Sequence, residues 1–444
     1  MMKFRSLFVS HVVLAGLVAG CSAGAPDDSA REEPSGTDSL AAVGSRDPAK
    51  ELWRRQISKT PLPKEGCFDA VHPSTQWVEV PCATGRHSHP AAPTMPVPAD
   101  SLTDTEASSG ASGGGRVHPF TSAKVSSGTL SSAEGSFPSA TGLTSEKGNG
   151  ASNSFSIQLN TQSNLTNSAI TALCKSTATP ASCKGWVQFV YWEGAAEIWY
   201  NLVGAGNKCP SSAWKNDGGA CYFEAPNSAV ISAQPISNLV NMTLTGSAGG
   251  TTDTVIVTTG PGQMHAATNT SLVDLSASWT YADFNVLGDS SYAEAVFNSG
   301  TTLAVQLLTD SGSTSPPACG PADSTTGESN NLSIVPGSCC TFGGSSPGVL
   351  WTESNAASPI AYACPSGSCG AANEPCCPGS SCHSGLTCYP LPASTETACL
   401  SAPPPVCGGK GQGCCNGTRC DTGLKCEAVS QTVDGHKLTA FVCE

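Results

Sequence analysis

One cysteine pattern is written twice at the C-terminal end of this 444-residue chain. Cys369, Cys376, Cys377, Cys382, Cys388 and Cys399 are followed by Cys407, Cys414, Cys415, Cys420, Cys426 and Cys443, and the first four gaps are six, zero, four and five residues in both sets. "SGLTC" in the first set matches "TGLKC" in the second, which makes Leu386 and Leu424 equivalent. A module of about 30–40 residues buries too little apolar surface to hold itself, so sulfur bridges must replace a core. Fifteen connectivities are open to six cysteines, and spacing alone does not choose among them. Zinc fits poorly, because the adjacent cysteines at 376–377 and 414–415 lack the two-to-four-residue spacing of structural zinc sites.

The rest of the chain carries cysteines in even groups: Cys67 and Cys82; Cys174, Cys183, Cys209 and Cys221; Cys319, Cys339, Cys340 and Cys364. Even local counts suit locally closed disulfides in an oxidising compartment. The start of the chain agrees. Lys3 and Arg5 precede a mostly apolar run over Leu7–Val18, then Ala19, Gly20 and Cys21. The run is too short to cross a bilayer and reads as a signal peptide over residues 1–20. "LVAGC" resembles a bacterial lipobox. That resemblance implies cleavage before Cys21 and lipidation of Cys21, a membrane tether that does not span the bilayer. Ser22 stands where aspartate would favour inner-membrane retention, so an outer-membrane lipoprotein, open to surface display, is expected. Removing Cys21 from the 23 cysteines leaves an even number for disulfides, and removing Lys3 and Arg5 takes the formal charge from −13 to −15. So acidic a chain with no basic patch excludes nucleic acid as a partner.

Composition then divides the chain. Residues 21–60 are small, polar and acidic and read as a flexible tether, with "KELWRRQI" allowing a helical turn or two. Residues 61–89 read as a small hairpin region stapled by Cys67 and Cys82, a bridge worth roughly 3 kcal/mol in the chain-entropy model. His87 and His89 lie just beyond, with no partner at metal-ligand spacing. Residues 90–116 are low-complexity linker. Residues 117–364 alone are long enough for a sizeable core, and they consist of short alternating runs such as "SFSIQL", "WVQFVYW", "EIWYNLV", "TDTVIVTT" and "TLAVQLLTD". Only "SNLTNSAITALCK" looks helical, and no βαβ rhythm appears. The fold class expected is all-β: an antiparallel β-sandwich or jelly roll, followed by two small disulfide-rich modules at 369–399 and 407–443.

"GCF…W…VPC", "GSFPSATGLTSE", "SFSIQLNT", "WVQFVY", "ADFNVLGD" and "TGESNNL" together resemble a family of uncharacterised bacterial secreted β-rich proteins, over Cys67 to about Asn355. The resemblance implies one structural unit and brings no activity. The tail resembles Cys-rich repeats of secreted myxobacterial proteins. In knottin-type inhibitors the adjacent cysteines are third and fourth; here they are second and third.

Strand alternation sorts the candidate site residues. Trp186, Gln188, Val190 and Trp192 share one face of their run; Glu197, Trp199 and Asn201 share one face of theirs; Trp279, Tyr281, Asp283 and Asn285 share a third. Ala282, Phe284 and Val286 are assigned to the core. Aromatic rings beside amides and carboxylates suit stacking on sugars or contact with a protein partner. The leading expectation is therefore an envelope-anchored, non-catalytic binding or adhesion protein with a glycan or protein ligand. The alternative is a secreted hydrolase. Glutamic peptidases are jelly rolls with a Gln and a Glu side by side, and "SWTYADF" resembles their Trp followed by an acidic-Phe pair. Their catalytic Glu falls where this chain has Ala282, leaving Gln188 and Asp283 as the pair, with Glu197 a third catalytic candidate. Glycoside hydrolysis would draw two acids from Glu193, Glu197, Asp283 and Asp289. No serine-nucleophile elbow, HExxH, P-loop, dinucleotide-binding or calcium-loop motif appears, so neither cofactor nor metal is expected.

Overall fold

The structure, a computed structural model, describes residues 48–83, 121–321, 326–362, 387–390, 397–400 and 408–444, apart from 149, 193, 261, 290–292, 345, 411, 415–419 and 434–435. Cys21 and its anchor, the tether up to residue 47, His87, His89, the linker at 90–116, Glu193, Cys364 and most of the first Cys-rich repeat lie outside the described residues.

Two antiparallel sheets face each other. Sheet A runs in the order β2 (Val78–Val80), β1 (Gly66–Val71), β15 (Gln263–Thr270), β14 (Thr252–Gly260), β13 (Thr243–Ala248), β4 (Ser132–Thr141), β18 (Thr302–Asp310), β23 (Gly348–Ser354) and β21 (Ser333–Ile334), with β22 (Cys340–Phe342) also on β23. Sheet B runs β10 (Lys215–Asp217), β11 (Ala220–Glu224), β9 (Ala195–Val203), β8 (Lys184–Trp192), β7 (Phe155–Thr161), β16 (Tyr281–Gly288), β3 (Thr121–Lys124) and β19 (Ala318–Pro321), with β12 (Ala229–Val230) also on β9. A small sheet of β20 (Ser329–Asn330), β17 (Glu294–Phe297), β5 (Glu146–Gly148) and β6 (Ala151–Ser152) flanks them.

Period-two patterning builds the core. Phe155, Ile157 and Leu159, Val187, Phe189 and Tyr191, Ile198, Tyr200 and Leu202, and Ala282, Phe284 and Val286 point inward from sheet B. Leu244, Val255, Val257, Leu303, Val305, Leu307, Val349 and Trp351 meet them from sheet A. The sheets approach closely where a ring lies over a glycine. A Cβ on Gly135 would overlap the Phe284 ring, and one on Gly246 would overlap Phe189.

The stapled hairpin, over its described residues 61–83, is part of the sandwich. β1 pairs with β15 over six residues, Gly66 opposite Thr268 to Val71 opposite Gln263. Helix α1 (Pro48–Ser58) covers the outer side of sheet A, where Trp53 and Ile57 pack on Phe68, Ala70, Ile256, Met264 and Ala266. Buried Arg54 pins it, bonding Glu51 at 2.8 Å and Glu134 of β4 at 2.6 Å. "KELWRRQI" is thus a docked element and not tether. The expected short helix is α2 (Ser168–Cys174), capped by the Asn167 side chain accepting from the Ile170 N–H.

Bridges close locally: Cys67–Cys82, Cys174–Cys183, Cys209–Cys221 and Cys319–Cys339. Cys340 and Cys399 are bridged too. In the second repeat Cys414 joins Cys426 and Cys420 joins Cys443. Cys426 and Cys443 are register partners between β26 (Cys426–Val433) and β27 (His436–Cys443), as Cys388 and Cys399 are between β24 (Thr387–Pro390) and β25 (Thr397–Leu400). The sulfurs of Cys414, Cys420 and Cys443 lie within 4.8 Å of one another because two bridges are adjacent; sulfurs so bonded offer no thiolate to a metal.

Two outcomes test this architecture. Gly135→Ala should force Phe284 from its place and lower stability by about 1–3 kcal/mol, read by urea unfolding. Mass mapping of unreduced peptides should recover Cys414–Cys426 and Cys420–Cys443.

Candidate functional site

The outer face of sheet B carries most of the chemistry, because each inward ring on a strand places the next side chain outward. One row across the sheet reads Glu224, Trp199, Gln188, Asn160, Asp283 and Ser122, on β11, β9, β8, β7, β16 and β3. The neighbouring rows hold Glu197, Val190, Gln158 and Asn285 on one side, and Tyr222, Asn201 and Trp186 on the other.

Amides link these rows in one direction. Asn201 Nδ2 donates to Gln188 Oε1 at 3.2 Å, Gln188 Nε2 donates to Gln158 Oε1 at 3.3 Å, and Gln158 Nε2 donates to Ser156 Oγ at 3.1 Å. Gln158 also acts on the carboxyl of Glu328, from the segment leading into β20, and helps to lower it. Burial pushes the Glu328 carboxyl up to about 7, and hydrogen bonds from its own backbone, Thr326 and Gln158 only partly oppose it.

Aromatic side chains border the relay. Trp199 stacks on Tyr222 at 5.6 Å between centroids, with Val190 and Trp192 in the same cluster, and Trp199 Nε1 donates to Glu197 Oε2 at 3.0 Å. The edge opens at β11, where Tyr222 and Glu224 are part-exposed and the Lys215 ammonium lies 5.3 Å from the Tyr222 ring centre. Three polar atoms around Gln188 lack a hydrogen-bond partner although buried: Asn160 Oδ1, Trp186 Nε1 and Asn201 Oδ1. Their residues are 3%, 0% and 1% exposed, so each lost bond costs about 1–3 kcal/mol unless a bound group or water supplies it.

The structure therefore gathers Trp186, Gln188, Trp192, Glu197, Trp199, Tyr281 and Asp283 on one face. Two candidates leave the set. Trp279 precedes β16, which starts at Tyr281, so alternation does not reach it; it is fully buried in the main core, 5.8 Å from the Phe189 ring, and donates to the Tyr281 carbonyl. Asn285 is engaged structurally. Its Nδ2 donates to Glu353 Oε1 at 2.8 Å, which also accepts from Trp351 Nε1, and Asn330 Nδ2 donates to the Asn285 Oδ1. Burial raises the Glu353 carboxyl.

The pairings expected for catalysis are corrected too. Gln188 and Asp283 share a row, but β7 and Asn160 stand between them, about 10 Å across two strand spacings. Glu197 and Asp283 are three strands apart, about 14 Å, beyond either geometry of paired glycosidase acids. The Gln that does act on a carboxyl is Gln158, on Glu328. Gln158 was visible in "SFSIQLNT", outward between Ile157 and Leu159; Glu328 sits where no periodicity marks it.

A second polar row, Thr259, His265 and Asp69, has hydroxyl, imidazole and carboxylate in the order of a nucleophilic triad, at 3.3 and 2.9 Å. It shares the core-facing side with Val255, Val257 and Cys67, and all three residues are buried, so it reads as an internal polar clamp.

No protein-family model matches this chain, and no curated protein is significantly similar to it.

The raised Glu328 carboxyl fixes a sign. Its folded value lies above the unfolded one, so its contribution to stability is full below about pH 4.5 and is lost as pH rises through about 7. Glu328→Gln should remove that loss, gaining roughly 3 kcal/mol over the native chain at pH 8 relative to pH 4. Equal differences at both pH values in urea unfolding would refute the raised carboxyl.

Proposed function

We propose that this chain is a disulfide-stabilised envelope protein, anchored by lipid on Cys21, whose outer sheet B face binds a neutral, hydroxyl-rich ligand of the glycan class without turning it over. One observation carries the reading: three buried polar atoms without partners surround Gln188 on a face bordered by Trp186, Trp192 and Trp199. A sugar ring offers hydroxyls that both donate and accept, matching two amide oxygens and one indole N–H, and an apolar face for an aromatic. The chain's negative charge disfavours anionic ligands. The export signal and the bridges support an extracytoplasmic setting.

The purified mature chain is expected to hold a subset of glycans on an array, with binding weakened at least tenfold by Gln188→Ala and by Trp186→Phe while the fold persists. A wild type that holds no glycan, or variants that bind as well as it does, would end this reading. Metabolic labelling with palmitate should mark the native protein and not Cys21→Ser.

A second reading rests on a separate observation. Gln158 acts on the Glu328 carboxyl, which burial raises to about 7, and an amide beside such a carboxyl can hold an oxyanion while the carboxyl moves a proton. Peptide turnover by the wild type, abolished in Glu328→Gln and Gln158→Ala, would establish a hydrolase instead.

A further inference from the structure

We infer that Glu146 and Asp289 form the carboxylate pair of a divalent-cation site, for calcium by its chemistry, where β5, the start of β7 and the end of β16 meet. Glu146 lies on β5 opposite Phe297 of β17. Asp289 directly follows β16, whose last residue, Gly288, pairs with Phe155 at the head of β7. Ser154 joins the two acids: its Oγ donates to Asp289 Oδ2, and its backbone N–H acts to lower the Glu146 carboxyl. The β5 hairpin closes tightly on this residue, since a Cβ on Gly148 would overlap the Ser154 carbonyl.

The observation that points to an ion is the isolation of Glu146. The residue is 1% exposed, and neither carboxylate oxygen meets a donor at hydrogen-bonding geometry. The Ser154 N–H weakens that isolation without ending it, and burial together with Asp289 still raises the Glu146 carboxyl to about 7. A buried carboxylate facing a second one costs several kcal/mol unless a proton or a cation neutralises it. The groups on offer are all oxygen: two carboxylates and the Ser154 hydroxyl. That hard set suits calcium, and the flexible coordination of calcium tolerates a site built from three strand ends. The acids are 143 positions apart in the sequence, so no contiguous calcium loop announces them.

The test uses the full mature chain, stripped with chelator and titrated with calcium chloride by calorimetry. One saturable equivalent is expected, with a dissociation constant of about 0.1–1 mM, the range of extracellular calcium modules. Glu146→Gln, which keeps the shape and removes the charge, should weaken it more than tenfold; Asp289→Asn should do the same. Calcium should raise the unfolding temperature of the wild type and of neither variant. Should Glu146→Gln fail to fold by circular dichroism, Asp289→Asn and the wild-type titration decide alone. A wild type that takes up no ion at about 5 mM calcium, or variants that bind as the wild type does, would overturn the site and show that a proton neutralises Glu146.

Discussion

The contact of Phe284 with Gly135, and of Phe189 with Gly246, sets how closely the two sheets lie. Each ring occupies space that any Cβ would fill, and Phe137 packs on Phe284 at 5.0 Å between centroids. Interiors are packed near crystal density, so this registry admits little sliding. Once Phe189 and Phe284 face inward, Gln188, Asp283 and Asn285 must face outward. The chemistry on the outer side of sheet B is thus a consequence of packing on its inner side.

That outer side is unusual in being polar and buried together. Every residue of β7 and β9 is buried, although alternate ones are Ser156, Gln158 and Asn160, or Glu197 and Asn201. An antiparallel sheet with one face on a core normally leaves the other to water. Here amide-to-amide bonds link three neighbouring rows across β9, β8 and β7, and cross-strand hydrogen bonding of this kind stiffens the face on which it lies. The bonding stops short at Asn160, Trp186 and Asn201, which is why those positions, and not the aromatic residues alone, define the site.

Alternation in the sequence was enough to separate Val187, Phe189 and Tyr191 from Trp186, Gln188 and Trp192, because both faces of β8 obey one period over nine residues. It misplaced Trp279, since the period begins only where the chain becomes extended at Tyr281. It gave no hint that β1 joins β15, because pairing between residues about two hundred positions apart leaves no local trace. The helix carrying Trp53, Arg54 and Ile57 was legible only as a run allowing a helical turn or two; its role comes from Glu134, far along the chain. Cysteine parity identified local closure but left the pairing in the second repeat open, and the hairpin register of Cys426 with Cys443 places one member of each bridge side by side. Glu328 was invisible for a plain reason: an irregular segment has no period to read.

The direction of the amide relay decides which polar atoms the face leaves open. Every donor in it points from Asn201 toward Gln158 and on to Ser156, which accepts. An amide whose N–H is committed to its neighbour keeps its oxygen for something else. Gln188 and Gln158 spend their oxygens on the preceding amide, but Asn201 begins the chain and has no upstream donor, so its Oδ1 stays open. Asn160, beside Gln188 and outside the relay, leaves its Oδ1 open as well. The free end of the relay is therefore rich in acceptors, with the Trp186 N–H as the one donor among them. Groups that bring their own protons, such as hydroxyls and amide N–H, complement such a surface; carboxylates and phosphates, which bring only lone pairs, do not.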